Sequence, residues 1–266
     1  RWSQRFGETD AYALRAANFM GLCLAALGRF PEAAELNRRT LDLHNQVSGE
    51  NSKDTIIAEL LVAADIKSRG EFRVSRDLLG QIYDKARGLF GDDDLITLQT
   101  AHDLAGAVRL CGDYRRALAL DEHTYLRRKQ VLGPDSMDTL NSLHAWVIDL
   151  RELGQYRRAR AEQEKFVERV RGVVGDDRAE VFLRMADLAV ARRRDGDHIR
   201  AVEMSERALT LYTRHYDPDH PNAIACKIGH SINLRHKGDL PAAQELGEDA
   251  LGRCETALGE HHPYTA

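Results

Sequence analysis

A positively charged side chain recurs five times at intervals of 42 residues, as Lys67, Arg109, Arg151, Arg193 and Arg235. Each of these residues, which we call the cation column, stands three residues before a glycine. A guanidinium group can hold a carboxylate through two parallel hydrogen bonds, and an ammonium group attracts it as a point charge. A row of such groups on one surface would therefore suit an extended acidic peptide or a free carboxylate.

The cation column also has a structural explanation. If the glycine that follows each cation ends a helix, the cation lies in the last turn, where the helix dipole stabilises it by roughly 0.3–1 kcal/mol. Each cation could also pair with Asp113, Asp197, Asp239 or another nearby acid. Ligand binding and helix stabilisation both remain open from the sequence.

Few other residues suggest chemistry. Asn18, His102 and His144 stand ten residues before glycines of the same series, and the two histidines could contact a ligand or hydrogen-bond each other. The sequence has no phosphate-binding loop, dinucleotide fingerprint, nucleophile elbow or HExxH zinc motif. His261 and His262 have no Cys or carboxylate at ligand spacing. We therefore expect a protein that is not an enzyme and that holds no metal or cofactor.

The glycines that follow the cations belong to a longer periodic series. Turn glycines occur every 42 residues, at Gly28, Gly70, Gly112, Gly154, Gly196 and Gly238. A second series with the same period contains Gly49, Gly91, Gly133, Gly175 and Gly259, with Asp217 in the remaining place. A fixed period of this length predicts a stack of equal units, since each unit buries its apolar face against the next.

The stretch from Asp94 to Gly133 shows what one unit contains. Asp94 offers an N-cap, and an apolar stripe with helical spacing follows until Gly112, formed by Leu98, Ala101, Leu104, Ala105 and Val108. A second amphipathic stripe then runs to Gly133 through Ala117, Leu120, Thr124 and Tyr125. The turn between the stripes is short, so the unit is predicted to be a pair of antiparallel helices.

Small side chains recur at two positions of every unit. Seven residues before the turn glycine stand Gly21, Ala63, Ala105, Val147, Ala189 and Ser231, and five after it stand Ala33, Ser75, Ala117, Ala159, Ala201 and Ala243. Small residues at both positions predict a close approach of the two helix backbones. Trp146 shares a packing column with Leu104 and Leu188, so we expect it in the core.

The pattern Gly-x-[Tyr/Phe]-x-x-Ala, as in Gly112-Asp113-Tyr114 and Ala117, resembles the centre of the tetratricopeptide repeat. The usual repeat has 34 residues. The 42-residue form, with Leu132-Gly133-Pro134-Asp135 at its junction, resembles the repeats of kinesin light chains. It is also similar to bacterial arrays that follow an NB-ARC-type nucleotide-binding domain, one branch of which belongs to a system whose peptides end in FxSxx-COOH. The resemblance implies an all-α, right-handed solenoid of antiparallel helix pairs.

The resemblance also implies a concave groove lined by the first helix of each pair. In that family the lining positions fall ten, six and three residues before the turn glycine. These positions give the candidate ligand-binding residues Asn18, His102, His144, Lys67, Arg109, Arg151, Arg193 and Arg235. The pattern breaks at Arg192, where an aliphatic residue is expected, and at His230, in the column of Trp146. Either the helix register shifts there or the groove changes character.

The composition of the chain limits its possible partners and its cellular location. The 266 residues carry a formal net charge of −4, which argues against a nucleic-acid partner. No apolar stretch is long enough to span a membrane and no signal segment opens the sequence, so we expect a cytoplasmic protein without membrane contact. Four cysteines without a CxxC pair are expected to be small buried side chains.

These patterns together predict one array of repeats at about 8–49, 50–91, 92–133, 134–175, 176–217 and 218–259, with partial repeats at 1–7 and 260–266. We expect it to be a fragment of a longer protein. The expected function is a scaffold for a protein or an acidic, carboxylate-bearing peptide, as the sensor or recruitment arm of a larger bacterial protein, which could include an NTPase domain in contact with the array. The alternative is a self-association or autoinhibitory module without a peptide ligand.

Overall fold

The structure, a computed structural model, describes residues 7–27 and 29–258. The chain forms two compact units, Arg1–Gly133 and Pro134–Ala266. Within the described residues, each unit contains six α-helices arranged as three pairs, and we call the two members of a pair its first and second helix. The predicted turn at Gly28, the junction at His261 and His262, and most of the two partial end repeats lie outside the described residues.

The helices of the first unit are α1 (Ala11–Ala26), α2 (Phe30–Ser48), α3 (Lys53–Ser68), α4 (Phe72–Phe90), α5 (Leu95–Leu110) and α6 (Tyr114–Leu132). Those of the second unit are α7 (Met137–Glu152), α8 (Tyr156–Val174), α9 (Ala179–Arg194), α10 (His198–His215), α11 (Pro221–Lys237) and α12 (Leu240–Arg253). A short π-helical turn, Cys254–Leu258, follows α12.

The predicted helix boundaries are confirmed in the unit used as the example. Asp94 caps α5, because its side chain accepts a hydrogen bond from the backbone N–H of Ile96 at 3.0 Å. Gly112 ends the turn with φ +87°, a left-handed conformation that glycine adopts without steric cost. The chain therefore reverses between α5 and α6 within three residues.

The two columns of small residues lie where each first helix meets its second helix. Ala63, Ala117 and Ala159 are at most 1% exposed. The Ser75 hydroxyl donates to the carbonyl oxygen of Ala63 at 2.9 Å, which shows directly how closely α4 approaches the backbone of α3. The predicted close approach is therefore confirmed, and larger side chains would separate the helices.

Within each unit the first helices form one side. In the first unit α1 contacts α3 and α3 contacts α5, and in the second unit α9 contacts α11. The second helices pack mainly against the first helices of their own pair and of the next pair. The first helices thus approach one another on a common face, and we call this side of a unit its first-helix face.

The two breaks in the sequence pattern do not shift the register. Helix α9 ends at Arg194, two residues before Gly196, as α5 ends two residues before Gly112. The Arg192 side chain pairs with Glu164 of α8 at 3.2 Å. His230 is buried, and its Nδ1 lies 2.7 Å from the Ser205 hydroxyl. Polar partners on the preceding second helix therefore accommodate both residues.

The expectation for the cysteines is only partly correct. Cys226 and Cys254 are buried, whereas Cys23 is exposed and Cys111 is partly exposed. Cys111 follows the last residue of α5 as its C-cap, which places it near solvent. Trp146 is 7% exposed and lies in the core as predicted. In the described part of the chain, no helix combines the length and the apolar character needed to cross a bilayer.

Candidate functional site

All five residues of the cation column lie in the last turn of a first helix. Lys67 and Arg109 are near the ends of α3 and α5, and Arg151, Arg193 and Arg235 are near the ends of α7, α9 and α11. The stabilising effect of the helix dipole on a cation thus applies to each of them. What distinguishes the five residues is the partner of each side chain.

Arg109 has a structural partner. Its guanidinium donates a short, charge-assisted hydrogen bond to the carboxylate of Asp121, which lies on α6 of the same pair and is fully buried. Nδ1 of His102 lies 3.7 Å from the other oxygen of Asp121. The side chains of Arg109 and His102 are 19% and 25% exposed, so both are mostly enclosed around this carboxylate. At Arg109 the structure shows the acid pairing that the sequence left open.

Lys67 lies at the rim of a cavity of about 330 Å³ on the first-helix face of the first unit. The cavity is mostly apolar, with Leu22, Leu60 and Ala64 in its lining, and Asp103 lies at its polar edge. Asp103 accepts a hydrogen bond from Gln99 at 3.0 Å. Among the described residues, the Lys67 ammonium has no ion-pair partner. Two of the predicted lining positions, ten and six residues before the turn glycine, therefore meet here beside a cation.

Asn18 is only 8% exposed and lies inside the first pair. Its side-chain nitrogen is 3.4 Å from Nε2 of His44 on α2. His44 is itself 1% exposed, and burial lowers the pKa of its imidazole. Asn18 therefore contacts the interior of its own pair rather than an open groove, although it occupies a predicted lining position.

His144 and the charge of Arg151 both act on one partly exposed acid of the second unit, Asp187. Nδ1 of His144 is 3.9 Å from Asp187 on α9, and the ring stacks on Phe166 with centroids 5.7 Å apart. Burial raises the pKa of the Asp187 carboxyl, while Arg184, 3.0 Å away, and Arg151 act in the opposite direction. The distance from Arg184 to Asp187 identifies it as the principal charge partner of this acid.

Arg151 and Arg193 differ in how their charges are compensated. Nε of Arg151 lies 3.3 Å from the Glu152 carboxylate, its neighbour in the chain. Arg193 donates instead to the neutral amide oxygen of Asn233 on α11, at 2.8 Å. Burial, followed by the charges of Arg194, Arg151 and Arg235, lowers the pKa of the Arg193 guanidinium. The cations of the second unit are therefore close enough to repel one another.

Arg235 is exposed at the end of α11 and lines a cavity of about 340 Å³ with Ile232 and Leu240. It has no ion-pair partner within the described ranges. The acids proposed as partners from the sequence are used elsewhere, because Asp113, Asp197 and Asp239 cap the N-termini of α6, α10 and α12. Of the acid partners that the sequence left open, these three therefore act as helix caps, and other acids, such as Asp121 at Arg109, pair with the cation column.

Three residues that matter here were not singled out from the sequence, namely Asp121, Asp187 and Asn233. Asp121 could have been found, since it stands four residues after Ala117 and three before Thr124, within the apolar stripe of α6. A carboxylate in a buried stripe requires a cationic partner. Asn233 occupies a column that holds Ala107 and Ala191 in other pairs, where a polar residue signals a specific contact.

A tetratricopeptide repeat family model matches residues 97–171 and 177–256, and a second model of the same description matches residues 13–54. The matches cover more than half of the chain. They confirm the repeat type that the Gly-x-[Tyr/Phe]-x-x-Ala pattern resembles. A search of curated proteins gave no significant match.

Solved structures with the same fold include a putative kinesin light chain from Podosopora anserina with nearly identical repeats, at 20% identity and TM-score 0.67, covering 76% of this chain and 95% of that one. The quorum sensor NprR from B. thuringiensis in its apo form is 12% identical with TM-score 0.66, covering 91% of this chain and 65% of that one. NprR in complex with its cognate peptide NprX matches similarly, with TM-score 0.64.

A signal transduction ATPase with numerous domains from Pyrococcus horikoshii, which has a tetratricopeptide repeat sensor, is also similar. Its identity is 13% and its TM-score 0.65, and the match covers 94% of this chain but 37% of that one. At these identities the likeness shows the fold alone. The predicted all-α solenoid fold of the kinesin-light-chain-like type is confirmed.

Proposed function

Because the chain belongs to the tetratricopeptide repeat family, we propose that its first-helix faces bind an extended protein or peptide segment that carries acidic groups or a free carboxylate. The observation that carries the proposal is the second unit, where Arg193 and Arg235 have no carboxylate partner among the described residues. Since guanidinium groups that repel one another gain most from an added anion, this face is suited to an acidic ligand.

The second unit also offers an apolar surface beside the cations. Ile148, Val190 and Ile232, six residues before each turn glycine, are partly exposed. Burying the exposed part of an aliphatic side chain contributes about 25 cal/mol per Å² of apolar surface. A segment with apolar side chains and a neighbouring carboxylate would therefore pack against these three aliphatic residues and pair with the arginines.

On its own first-helix face, the first unit offers a smaller set of groups to a ligand of this class. The cavity beside Lys67 could hold an aliphatic side chain against Leu60 and Ala64, with a carboxylate at the ammonium. Arg109 is held by Asp121, so the proposal assigns it a positioning role and not the primary charge contact. His102 and His144 would add polar contacts along the same positions.

The relatives agree with a role in recognition. One of them forms a complex with a cognate peptide, and another uses such an array as the sensor of an ATPase. We accordingly propose that this chain is the sensor or recruitment arm of a larger protein, which could include an NTPase domain in contact with it. A bacterial cytoplasmic setting stays a prediction from the sequence, and catalysis has no part in the proposal.

A second candidate function is self-association or packing against another domain. It is favoured by the outer surface of α1, where Tyr12, Phe19 and Met20 are 67%, 72% and 56% exposed. A contiguous apolar surface of this kind often marks an interface. Sedimentation at increasing concentration separates the candidates, since self-association predicts a rising mass and a peptide-binding scaffold predicts a constant one.

The proposal is tested with fluorescein-labelled acidic octapeptides, each prepared with a free and an amidated C-terminus. Fluorescence anisotropy should show binding that weakens as salt is raised, because exposed charges are screened over about 8 Å at physiological ionic strength. The double substitution Arg193→Gln with Arg235→Gln should weaken binding by about 10- to 150-fold for each guanidinium group that binds the ligand, as roughly 1.5–3 kcal/mol is expected for a charge-assisted hydrogen bond.

The matched control removes the same charge from a second helix. Arg207 and Arg214 are exposed on α10, and Arg207→Gln with Arg214→Gln should leave binding unchanged. Both double variants should melt at nearly the wild-type temperature. Equal binding by the two double variants would contradict the assignment of the first-helix face, and the absence of binding to any acidic peptide would contradict the ligand class.

A further inference from the structure

Five basic side chains and one amide meet where α9, α10 and α11 end or begin. Arg193 and Arg194 close α9, His198 opens α10, and Arg235 and His236 lie in the last turn of α11. The rings of His198 and His236 stack, with centroids 5.8 Å apart and planes inclined by 18°. We call these residues, together with Asn233, the turn-end cluster.

The turn-end cluster differs from other arginines of its unit in lacking acids. On the same helix, Arg184 pairs with Asp187 at 3.0 Å and Arg192 with Glu164 at 3.2 Å. Arg160 of α8 pairs with Asp195 at 2.7 Å. For Arg193, Arg194 and Arg235 no carboxylate lies within ion-pair distance in the ranges that the structure describes. No carboxylate of the described residues therefore neutralises these three guanidinium groups by direct pairing.

Two buried polar atoms in the cluster also have no partner. Asn233 is 1% exposed, and while its oxygen accepts from Arg193 at 2.8 Å, its side-chain N–H₂ donates to no described residue. Nδ1 of His198 is likewise buried without a partner in the described structure. The amide orientation is fixed by Arg193, because turning it would bring two donors together. Both atoms are enclosed by the protein, so Asn233 contributes to the cluster by holding Arg193 in position rather than by contacting a ligand.

We infer that the turn-end cluster binds a phosphate group, such as that of a phosphorylated side chain, through Arg193, Arg194, Arg235 and the histidine pair. The inference rests on the proposed function in that Arg193 and Arg235 belong to the same first-helix face, and it names the anionic group that the face recognises. The guanidinium groups donate to the phosphate oxygens, while Asn233 keeps Arg193 in place.

A phosphate matches this cluster better than a carboxylate does. A carboxylate carries one negative charge and two acceptor oxygens. A phosphate monoester carries a charge of about −1.5 to −2 at pH 7 and has three terminal oxygens. Three guanidinium groups and two imidazoles on three helices supply more donors and more charge than a single carboxylate can use.

The stacked histidines make the site sensitive to pH. Loss of hydration, followed by the charges of Arg193 and Arg235 and by His198 and Arg194, lowers the pKa of the His236 imidazole, so this ring is neutral at pH 7 without ligand. A dianion would offset those charges and favour the protonated ring. Binding therefore takes up a proton and tightens as pH falls from 7 towards 6, by up to about tenfold per pH unit for one proton.

Each helix next to His236 contributes charged groups to its surroundings. Of the carboxylates in these turns, Asp195 pairs with Arg160, and two cap helices, since the Asp197 carboxylate accepts from the backbone of Arg200 and the Asp239 carboxylate from that of Ala242. The other charged or titratable groups are Arg193 and Arg194 from α9, His198 from α10, and Arg235 and Lys237 from α11. Because these acids are already engaged, no free carboxylate among the described residues favours protonation of His236 until an anion binds.

The experiment follows the histidine ring signals by ¹H–¹⁵N NMR while inorganic phosphate, sulfate or acetate is added to the full chain. Sulfate remains a dianion between pH 7 and pH 6, so any change in its affinity over this range comes from protonation of the protein. We expect saturable shifts at His198 and His236 with phosphate and sulfate, at least tenfold tighter than with acetate. Sulfate binding should tighten between pH 7 and pH 6.

Two variants test the assignment. Arg194→Gln should weaken sulfate binding by about tenfold, and His236→Asn should abolish its pH dependence, whereas Arg214→Gln should change neither. Equal affinity for sulfate and acetate, or shifts absent from both histidines, would overturn the phosphate site. If acidic octapeptides still bind in that case, the proposed function stands without it, and if sulfate binds but no peptide does, the phosphate site stands alone.

Discussion

Replacing Arg109 with alanine should destabilise the protein far more than the same change elsewhere in the cation column. The Arg109 guanidinium is bonded to Asp121, whose side chain is 0% exposed. Among the described residues, removing the cation leaves this buried carboxylate with His102, 3.7 Å away, as its remaining basic neighbour. Breaking a buried ion pair from one side typically costs about 3–5 kcal/mol, and we expect a loss of free energy of unfolding in that range.

Arg235→Ala is the matched comparison. Arg235 also ends a first helix, so both substitutions remove the same favourable interaction with the helix dipole, roughly 0.3–1 kcal/mol. Since Arg235 is exposed and has no ion-pair partner among the described residues, its removal should change little else. The difference between the two variants therefore isolates the Asp121 pair, at about 2–5 kcal/mol.

Urea unfolding followed by circular dichroism measures both variants in the intact chain. A third variant, Arg109→Ala with Asp121→Asn, removes the stranded charge and should recover part of the stability. If Arg109→Ala costs less than about 1 kcal/mol, or if the second substitution brings no recovery, Asp121 does not depend on Arg109. The assignment of Arg109 to a structural role would then be refuted, and direct contact of Arg109 with a ligand would be the better explanation.

Two further predictions concern the core. Ala117→Leu should lower stability by about 1–3 kcal/mol through overpacking, whereas Ala119→Leu on the exposed side of the same helix should be nearly neutral, and equal melting temperatures would contradict the close helix approach. Burial lowers the pKa of His44 and of His230, so the stability that each contributes is present above about pH 6.5 and is lost as pH falls through the lowered pKa. Replacing both with glutamine should flatten the acid side of the stability profile measured by thermal melts.

The fold could be predicted from the sequence because the repeat supplies its own internal comparison. A single alanine such as Ala117 would carry little information, but small residues at the same place in every unit indicate a steric requirement. The Ser75 contact with the Ala63 carbonyl shows that requirement in atomic terms. Glycine at each turn, as at Gly112 with φ +87°, reflects a backbone conformation that other residues rarely adopt.

The partners of the cation column could not be predicted in the same way. Sequence period places the five cations at equivalent positions, but the partner of each depends on residues that do not repeat. Asp121 occurs in one pair, where Gln163 and Ser205 occupy the equivalent places of the next two. Both of these neutral residues are buried and bond to the following first helix, Gln163 to the Arg184 carbonyl and Ser205 to His230.

That difference decides which cations remain available to a ligand. Where the second helix presents a buried acid, as at Asp121, the cation of its own pair is drawn inwards and its charge is neutralised. Where the equivalent place holds a neutral side chain, as at Ser205, no such acid is offered to the cation of the pair, here Arg193. Ser205 also forms a hydrogen bond with the buried His230, so a hydroxyl at this position contributes to the core as well. Introducing Ser205→Asp should therefore raise the pKa of His230 and draw positive charge away from the turn-end cluster, which would weaken sulfate binding without altering any residue of that cluster.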